Sequence, residues 1–338
     1  MHDMSDKEKQ RVLSGMRPSG KLHLGHLHGV LENWKRLQDE YRCFFFVADW
    51  HALTTNYKSA WEIPASIGDM VLDWLAVGID PEKATIFVQS DVKAHAELQV
   101  LFSMITPLSW LERNPTYKEQ QQELKEKDIS TYGFLGYPVL QAADIVIYKA
   151  NKVPVGIDQL PHVELTREIT RRFNYLYGEV FPVPEALLAE VPKLPGLDGR
   201  KMSKSYGNSI FISDSEDAVR EKMMTIVTDV ERPRKSDPGD PEKRCVAFNM
   251  HRLYMDKARL EEIVEDCKRA RLGCVACKKE LAGAVAAKLR PVWERRAKIA
   301  ENPGRVREIL AAGAERAAKI AGATMEEVRQ ALWTRNAT

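Results

Sequence analysis

Apolar positions in roughly the first two thirds of the chain follow two alternating rhythms. The continuous runs Phe44-Phe45-Phe46-Val47-Ala48 and Ala84-Thr85-Ile86-Phe87-Val88 predict strands buried on both faces, and each is followed by an amphipathic stretch. Another apolar run ends in Gly15-Met16-Arg17-Pro18-Ser19-Gly20, after which Leu24, Leu27, Val30, Leu31, Trp34 and Leu37 keep helical spacing. Strand, crossover helix and strand is the repeat of a parallel sheet whose ligands bind beyond the carboxyl ends of the strands. From about Phe211 onward strand signals vanish, and apart from a Pro- and charge-rich linker at 231–241 the chain is helical and rich in Ala, Lys and Arg. The expected fold is α/β: a Rossmann-like doubly wound parallel sheet over residues 1–210 and an all-helical C-terminal domain over 211–338.

Composition adds little to this picture, whereas charge changes it. A chain of 338 residues with 44% hydrophobic and 29% charged positions has room for two cores. No run of 18 apolar residues occurs, and the polar start Met1-His2-Asp3-Met4-Ser5-Asp6-Lys7 lacks a signal-peptide core, so a cytoplasmic protein without membrane contact is expected. The net charge of +2 is unevenly spread, −3 up to Ser205 and +5 beyond it. Within 268–298 ten Lys and Arg face only Glu280 and Glu294, an excess that suits a phosphate backbone. In a helical tail it suits structured RNA better than duplex DNA; the plainer alternative is a solvated helix face.

Two short motifs carry candidate chemistry. His23-Leu24-Gly25-His26 opens the helix after the first predicted strand, where free N–H groups and two imidazoles on one face favour phosphate. Lys201-Met202-Ser203-Lys204-Ser205 lies in a glycine-rich loop after Leu194-Pro195-Gly196, where flexible lysines can follow a pyrophosphate as its charge develops. Either motif alone has an ordinary surface explanation. Together, in this order, they predict the two halves of an ATP site.

A third constellation is Tyr137, Gln141 and Asp144, whose spacing places them on one helical face within an apolar run, where a buried Asp needs a donor. Four of the five cysteines form Cys245-x21-Cys267-x6-Cys274-x2-Cys277, a thiolate set that suits either zinc or an iron–sulfur cluster. Cys43, inside a predicted strand, is expected to be an inert buried thiol.

With these motifs, and with Val47-Ala48-Asp49-Trp50-His51, Tyr137-Pro138-Val139-Leu140-Gln141-Ala142-Ala143-Asp144 and Val153-Pro154-Val155-Gly156-Ile157-Asp158-Gln159, the chain resembles the class I aminoacyl-tRNA synthetases, most closely the tryptophanyl-tRNA synthetases. The resemblance implies activation of L-tryptophan by ATP and magnesium and transfer to tRNA(Trp). It implies that His23, His26, Lys201 and Lys204 are catalytic, and that Arg17, Pro18, Ser19 and Gly25 shape the nucleotide site with Gly156, Ile157 and Asp158. Leu194, Met202, Ser203 and Ser205 would complete that site. Asp144 would accept the indole N–H, with Tyr137, Gln141, Gln159 and His51 around the amino acid.

The cysteine set resembles that of family members with a 4Fe-4S cluster beside the anticodon-reading helices, although its first gap is one residue shorter; zinc stays open as the alternative. Family members are homodimers, for which residues 99–125 (Leu101, Met104, Ile105, Leu108, Trp110, Leu111) offer an apolar interface or, equally, core. Gln141 stands where many bacterial tryptophan enzymes have Met, which keeps tyrosine open as a substrate. A non-catalytic RNA-binding relative and a small-molecule adenylyltransferase are the readings from other classes.

Overall fold

The computed structural model describes residues 9–115, 117, 129–188 and 194–333; the polar start at 1–7 and positions 116 and 118–125 of the apolar interface candidate lie outside them. Five strands, β1 (Arg11–Met16), β2 (Arg42–Val47), β3 (Ala84–Val88), β4 (Lys152–Val155) and β5 (Glu185–Leu188), form one sheet in the order β3-β2-β1-β4-β5. Every pairing is parallel. The order reverses between β1 and β4, so the switch point, where open α/β sheets bind ligands, lies beyond Met16 and Val155.

The predicted strands are apolar throughout because both faces are covered. Val12, Phe45, Val47, Ile86 and Val88 belong to one core; Leu13, Phe44, Phe46 and Phe87 belong to the other. On the first face Trp34 stacks on Phe45 with ring centroids 4.3 Å apart and meets Trp74 edge-on. On the second, Tyr148 stacks on Phe44 at 4.9 Å. Each such ring, fully buried, contributes roughly 2–3 kcal/mol.

The helix expected after β1 is interrupted. It begins as Leu24–His26, passes through a π turn at Leu27–Leu31 and continues as Glu32–Glu40. The π turn buries His28, whose ring nitrogens meet Glu32 at 2.8 Å and the Tyr254 hydroxyl at 2.7 Å, joining this helix to the C-terminal half. Such turns often mark functional positions in helices.

After β5 the described residues hold no further strand. The helix Cys274–Ala300 packs on the helices Glu62–Val77 and Glu216–Thr225, while the final helix Arg305–Trp333 runs back across β3. Contact there is backbone to backbone: a Cβ on Gly313 would lie 1.7 Å from the Ile86 carbonyl oxygen. The final helix therefore covers the free edge of the sheet. Its Ala317, Ala321 and Val328 join the second core.

This packing changes the meaning of the basic stretch. Lys268, Arg269 and Arg271 pair with Glu242, Glu265 and Asp266; Lys288, Arg290 and Arg296 pair with Glu32, Glu216 and Asp69/Asp73. Lys278 and Arg295 donate to the Met224 and Ala76 carbonyls. Eight of the ten cations thus have partners inside the chain, which a count along the sequence does not see because most of the acids come from other elements. The apolar candidates near residue 105 divide: Ile105 and Leu111 are core, whereas Met104 and Leu108 stand in solvent.

Candidate active site

The turn after β1 leads into His23, an extended N-cap residue whose Nδ1 accepts from the Gly25 N–H at 3.1 Å. The Nδ1 of His26 in turn accepts from the His23 N–H at 3.1 Å. This reciprocal cap settles both tautomers: Nδ1 is the acceptor, so the hydrogen sits on Nε2 and each ring retains one outward donor. Burial, then the neighbouring Lys204 charge, brings the His23 pKa down to about 4. For His26, burial followed by His23 and Lys204 brings it down to about 3. Both rings are therefore neutral donors at neutral pH. Gly25 is required because a Cβ there would lie 2.8 Å from the His23 ring.

The second motif meets the first directly. The Lys204 ammonium donates to the Ser19 carbonyl at 2.6 Å and lies 3.3 Å from the Ser19 hydroxyl, across 185 residues of sequence. Backbone bonds from Leu24 N–H to the Ile210 carbonyl (3.0 Å) and from Ile212 N–H to the Leu22 carbonyl (2.9 Å) join the same two segments. The loop is ordered around the buried Asn208, whose amide donates to Asp198 at 2.7 Å and accepts from the Ser203 N–H at 2.8 Å. Gly196 makes room for that side chain: a Cβ would fall 2.2 Å from the Asn208 amide nitrogen. Leu194 and Met202 are buried beneath the loop, the Ser203 and Ser205 hydroxyls are 3.0 Å apart, and Lys201 is exposed. Arg17 is exposed on the same turn, beside the buried Pro18.

Tyr137, Gln141 and Asp144 lie on the helix Tyr132–Ile147, capped by the Thr131 hydroxyl. Asp144 is buried and its carboxylate has donors from three other elements. The Gln89 amide reaches both oxygens at 2.8 and 2.9 Å, the His95 Nδ1 is 2.6 Å from Oδ1, and the His51 Nε2 is 2.8 Å from Oδ2. Burial opposes the charge, but the His95 and His51 contacts more than offset it, and the pKa falls to about 2. The donor that burial of Asp144 demands is thus supplied by the chain itself, so burial alone does not imply an indole partner. His95 passes the network to the Tyr148 hydroxyl at 2.7 Å.

The Tyr137 hydroxyl accepts from the His162 Nε2–H at 3.0 Å, because the Asn114 amide nitrogen faces the other ring nitrogen at 3.3 Å, and burial keeps His162 neutral by lowering its pKa to about 4. After β4, Gly156 lets the Asp158 carboxylate fold back, since a Cβ would lie 2.7 Å from Asp158 Oδ1. Gln159 donates to Asp158 at 3.1 Å, and Ile157 is exposed beside it. Gln89, His95, His162 and Asn208 escaped the sequence reading. A His inside the apolar pattern of residues 94–103 was the one signal available for His95.

The four cysteines come from separate segments, and among the described residues no three His, Cys, Asp or Glu side chains stand close enough together to hold a metal ion. Cys245 caps the helix Val246–His251, Cys267 ends the helix Lys257–Lys268, and Cys274 and Cys277 form the first turn of Cys274–Ala300. Burial first, and neighbouring thiols after it, raise the pKa of Cys245, Cys267 and Cys277, the last pushed up to about 12. An Arg232 N–H points at the Cys267 Sγ at 3.4 Å and the His251 Nε2 lies 3.1 Å from the Cys277 Sγ. Cys43 is buried in β2, as expected.

A family model described as class I tRNA synthetases (W and Y) matches residues 4–290. A tryptophan–tRNA ligase of Thermotoga maritima is 56% identical over 324 residues, 95% of this chain and 98% of that protein. One from Aquifex aeolicus is 46% identical over 392 residues, 95% of this chain and 99% of its own. The crystal structure of the Campylobacter jejuni tryptophanyl-tRNA synthetase complexed with ADP and tryptophan superposes with a TM-score of 0.86 at 35% identity, covering 95% of this chain and 99% of that one.

Proposed function

The chain belongs to the class I tRNA synthetases of the tryptophan and tyrosine group, and from that membership we propose that it activates L-tryptophan with ATP and charges tRNA(Trp). The observation that carries the reading is the Lys204–Ser19 contact, which closes the two ATP motifs on one turn at the switch point of the sheet.

The tryptophan carboxylate attacks the α-phosphate of ATP, the bond to the pyrophosphate breaks, and the adenylate passes its acyl group to a ribose hydroxyl of the terminal adenosine of the tRNA. No covalent enzyme intermediate is needed, so catalysis rests on alignment and on stabilising the charge that develops. The outward Nε2–H groups of His23 and His26 meet the phosphates, and Lys201 and Lys204 hold the departing pyrophosphate. Burial lowers the Lys204 pKa, an ammonium in a partly desolvated position. Its partner is Ser19; magnesium, held through the phosphates of ATP, would add charge neutralisation. Asp158, Gly156 and Ile157 border the ribose, and Arg17 and Pro18 shape the nucleotide site from the turn after β1.

In the amino-acid pocket the indole N–H takes the place of His51 on Asp144 Oδ2, because His51 is the one partly exposed donor of the set. Tyr137 and Gln159 orient the amino group, and Gln141 lines the ring. A side chain without the N–H leaves a buried carboxylate oxygen short of a donor, and sites of this kind discriminate strongly.

Cys245, Cys267, Cys274 and Cys277 would hold a 4Fe-4S cluster, with zinc as the alternative. What supports the reading is the cysteine pattern, since among the described residues no three such side chains stand together as a ready-made metal site; a bound cationic centre would draw the thiols together and keep them as thiolates. The exposed Val100, Met104, Leu108, Tyr132 and Tyr175 offer the apolar face of a homodimer, and the cytoplasm is the compartment that fits the reading.

The deciding experiment is pyrophosphate exchange with tryptophan and with tyrosine, followed by charging of total tRNA. Exchange with tryptophan and charging of tRNA(Trp) are expected; exchange with tyrosine alone, or none with either, sinks the assignment.

A further inference from the structure

At the end of the sheet opposite the reaction site, the first residues of β1 to β3 and the final helix enclose a cleft of about 490 Å³. Strands of six residues put about 20 Å between the two ends. The cleft walls carry Arg11, Arg42, Lys149, Arg316 and Lys319 against a single acid, Glu327. Arg11 and Arg42 are register partners on neighbouring strands, so two guanidiniums stand about one strand spacing, ~5 Å, apart at their roots.

The cations are only partly satisfied. Arg11 is half-buried and gives one N–H to the Tyr148 carbonyl at 2.8 Å; burial and then the Arg42 charge lower its pKa. Glu327 is taken by Lys149 at 2.6 Å. Arg316 gives one N–H to the Pro81 carbonyl at 3.1 Å, and Lys319 is exposed with no partner among the described residues. Lys149 is neutralised by Glu327 of the final helix, but Arg11, Arg42, Arg316 and Lys319 have no acid partner among the described residues, unlike most cations of residues 268–298. Like charges gathered in a half-buried concavity repel unless an anion joins them.

The geometry points to a second anion site that takes a small ligand with two linked phosphates, such as inorganic pyrophosphate or the diphosphate of a nucleotide. Adjacent guanidiniums match phosphate oxygens in pairs, and Lys319 adds a movable point charge at the mouth. Ile320 and Ala323 supply an apolar wall for an attached ribose or base. The cations converge on one concavity, and the helix forming its wall carries Glu326 and Glu327, whereas an RNA backbone calls for an extended positive stripe.

Because the reaction site also meets phosphates, pyrophosphate is titrated calorimetrically into full-length wild type, Lys204→Ala and the double variant Arg42→Ala/Lys319→Ala. Two equivalents per chain are expected in wild type. One keeps its affinity in Lys204→Ala and weakens roughly tenfold or more in the double variant, whose adenylate formation stays at the wild-type rate. Lys319→Ala alone, at an exposed position, gives a smaller loss in the same direction. A single equivalent in wild type overturns the site, as do two equivalents that the double variant binds equally well. Loss of tRNA charging in the double variant with pyrophosphate binding unaltered assigns the cations to RNA and also overturns it.

Discussion

His23 and His26 divide the work of their ring nitrogens, Nδ1 to the helix cap and Nε2–H to the ligand, and this division requires them to be neutral. Their folded pKa values of about 4 and about 3 lie below the ordinary imidazole value, so the unfolded chain binds protons that the folded one refuses. Their contribution to stability is complete above about pH 6.5 and is lost as the pH falls toward 4. Denaturation midpoints between pH 7 and 4 should therefore decline less steeply in His26→Gln than in wild type; equal slopes refute the assignment. Lys204→Ala should slow adenylate formation by about two to three orders of magnitude, the usual effect of removing one preorganised charge from a transition state. A near-wild-type rate in single-turnover measurements is the contrary result.

For Asp144→Asn, one carboxylate oxygen becomes an NH2 that faces donors from Gln89, His95 or His51. A cost of about 1–3 kcal/mol in urea unfolding is expected for the donor left without an acceptor, with weaker tryptophan binding. Asp144 and Tyr137 were legible as a pair because helical spacing links them locally. Gln89 and His95, 55 and 49 residues from Asp144, reach it only through the fold.

At the scale of elements, β2 and β3 were legible because burial on both faces leaves a continuous apolar run, whereas β4 and β5, four residues each and mostly half-exposed, leave no such run. The final helix was not legible either, since an Ala- and Arg-rich amphipathic pattern reads the same whether the helix caps a sheet or extends a tail. Two glycines on it provide an internal comparison. Gly313→Ala must push the helix off the Ile86 carbonyl and should cost about 1–3 kcal/mol, whereas Gly322→Ala, with open space around it, should gain up to about 1 kcal/mol of helix propensity. Chemical denaturation of both variants checks the pair, and equal effects would refute the proposed contact.

Arg296 likewise anchors the long helix Cys274–Ala300 on the buried Asp73, whose pKa burial raises to about 6 despite the guanidinium. Arg296→Ala should cost about 2–3 kcal/mol at pH 8, the lower part of what stranding a buried charge costs. The cost should shrink below pH 6, where Asp73 takes up a proton. A loss that does not change with pH would show that Arg296 acts through packing alone.

For the whole molecule, the two motifs at the carboxyl ends of the strands, the cysteine set and the basic cleft beneath the sheet occupy three separate regions. That separation predicts separable defects. On the proposed cluster reading, wild type binds iron and sulfide, and Cys277→Ser should lose both together with tRNA charging while adenylate formation persists, as measured by iron and sulfide analysis alongside single-turnover activation. Parallel loss of both activities would instead indicate general unfolding. The ATP motifs were legible because their chemistry is concentrated in a few consecutive residues. The cleft was not, because Arg11, Arg42 and Lys319 are single positions in three distant segments.

The seating of Gly313 on β3 also has a consequence in time. β3 is made more than two hundred residues before the helix that covers its edge. Until that helix is made, the nascent sheet waits with an open border. The candidate reaction site is assembled from segments that end near residue 212, yet the sheet beneath it is completed only when the helix Arg305–Trp333 docks. A chain interrupted before Arg305 would carry both motifs and the Asp144 network and still be exposed to edge-to-edge association, so the helix Arg305–Trp333 closes a border that lies outside the reaction centre itself.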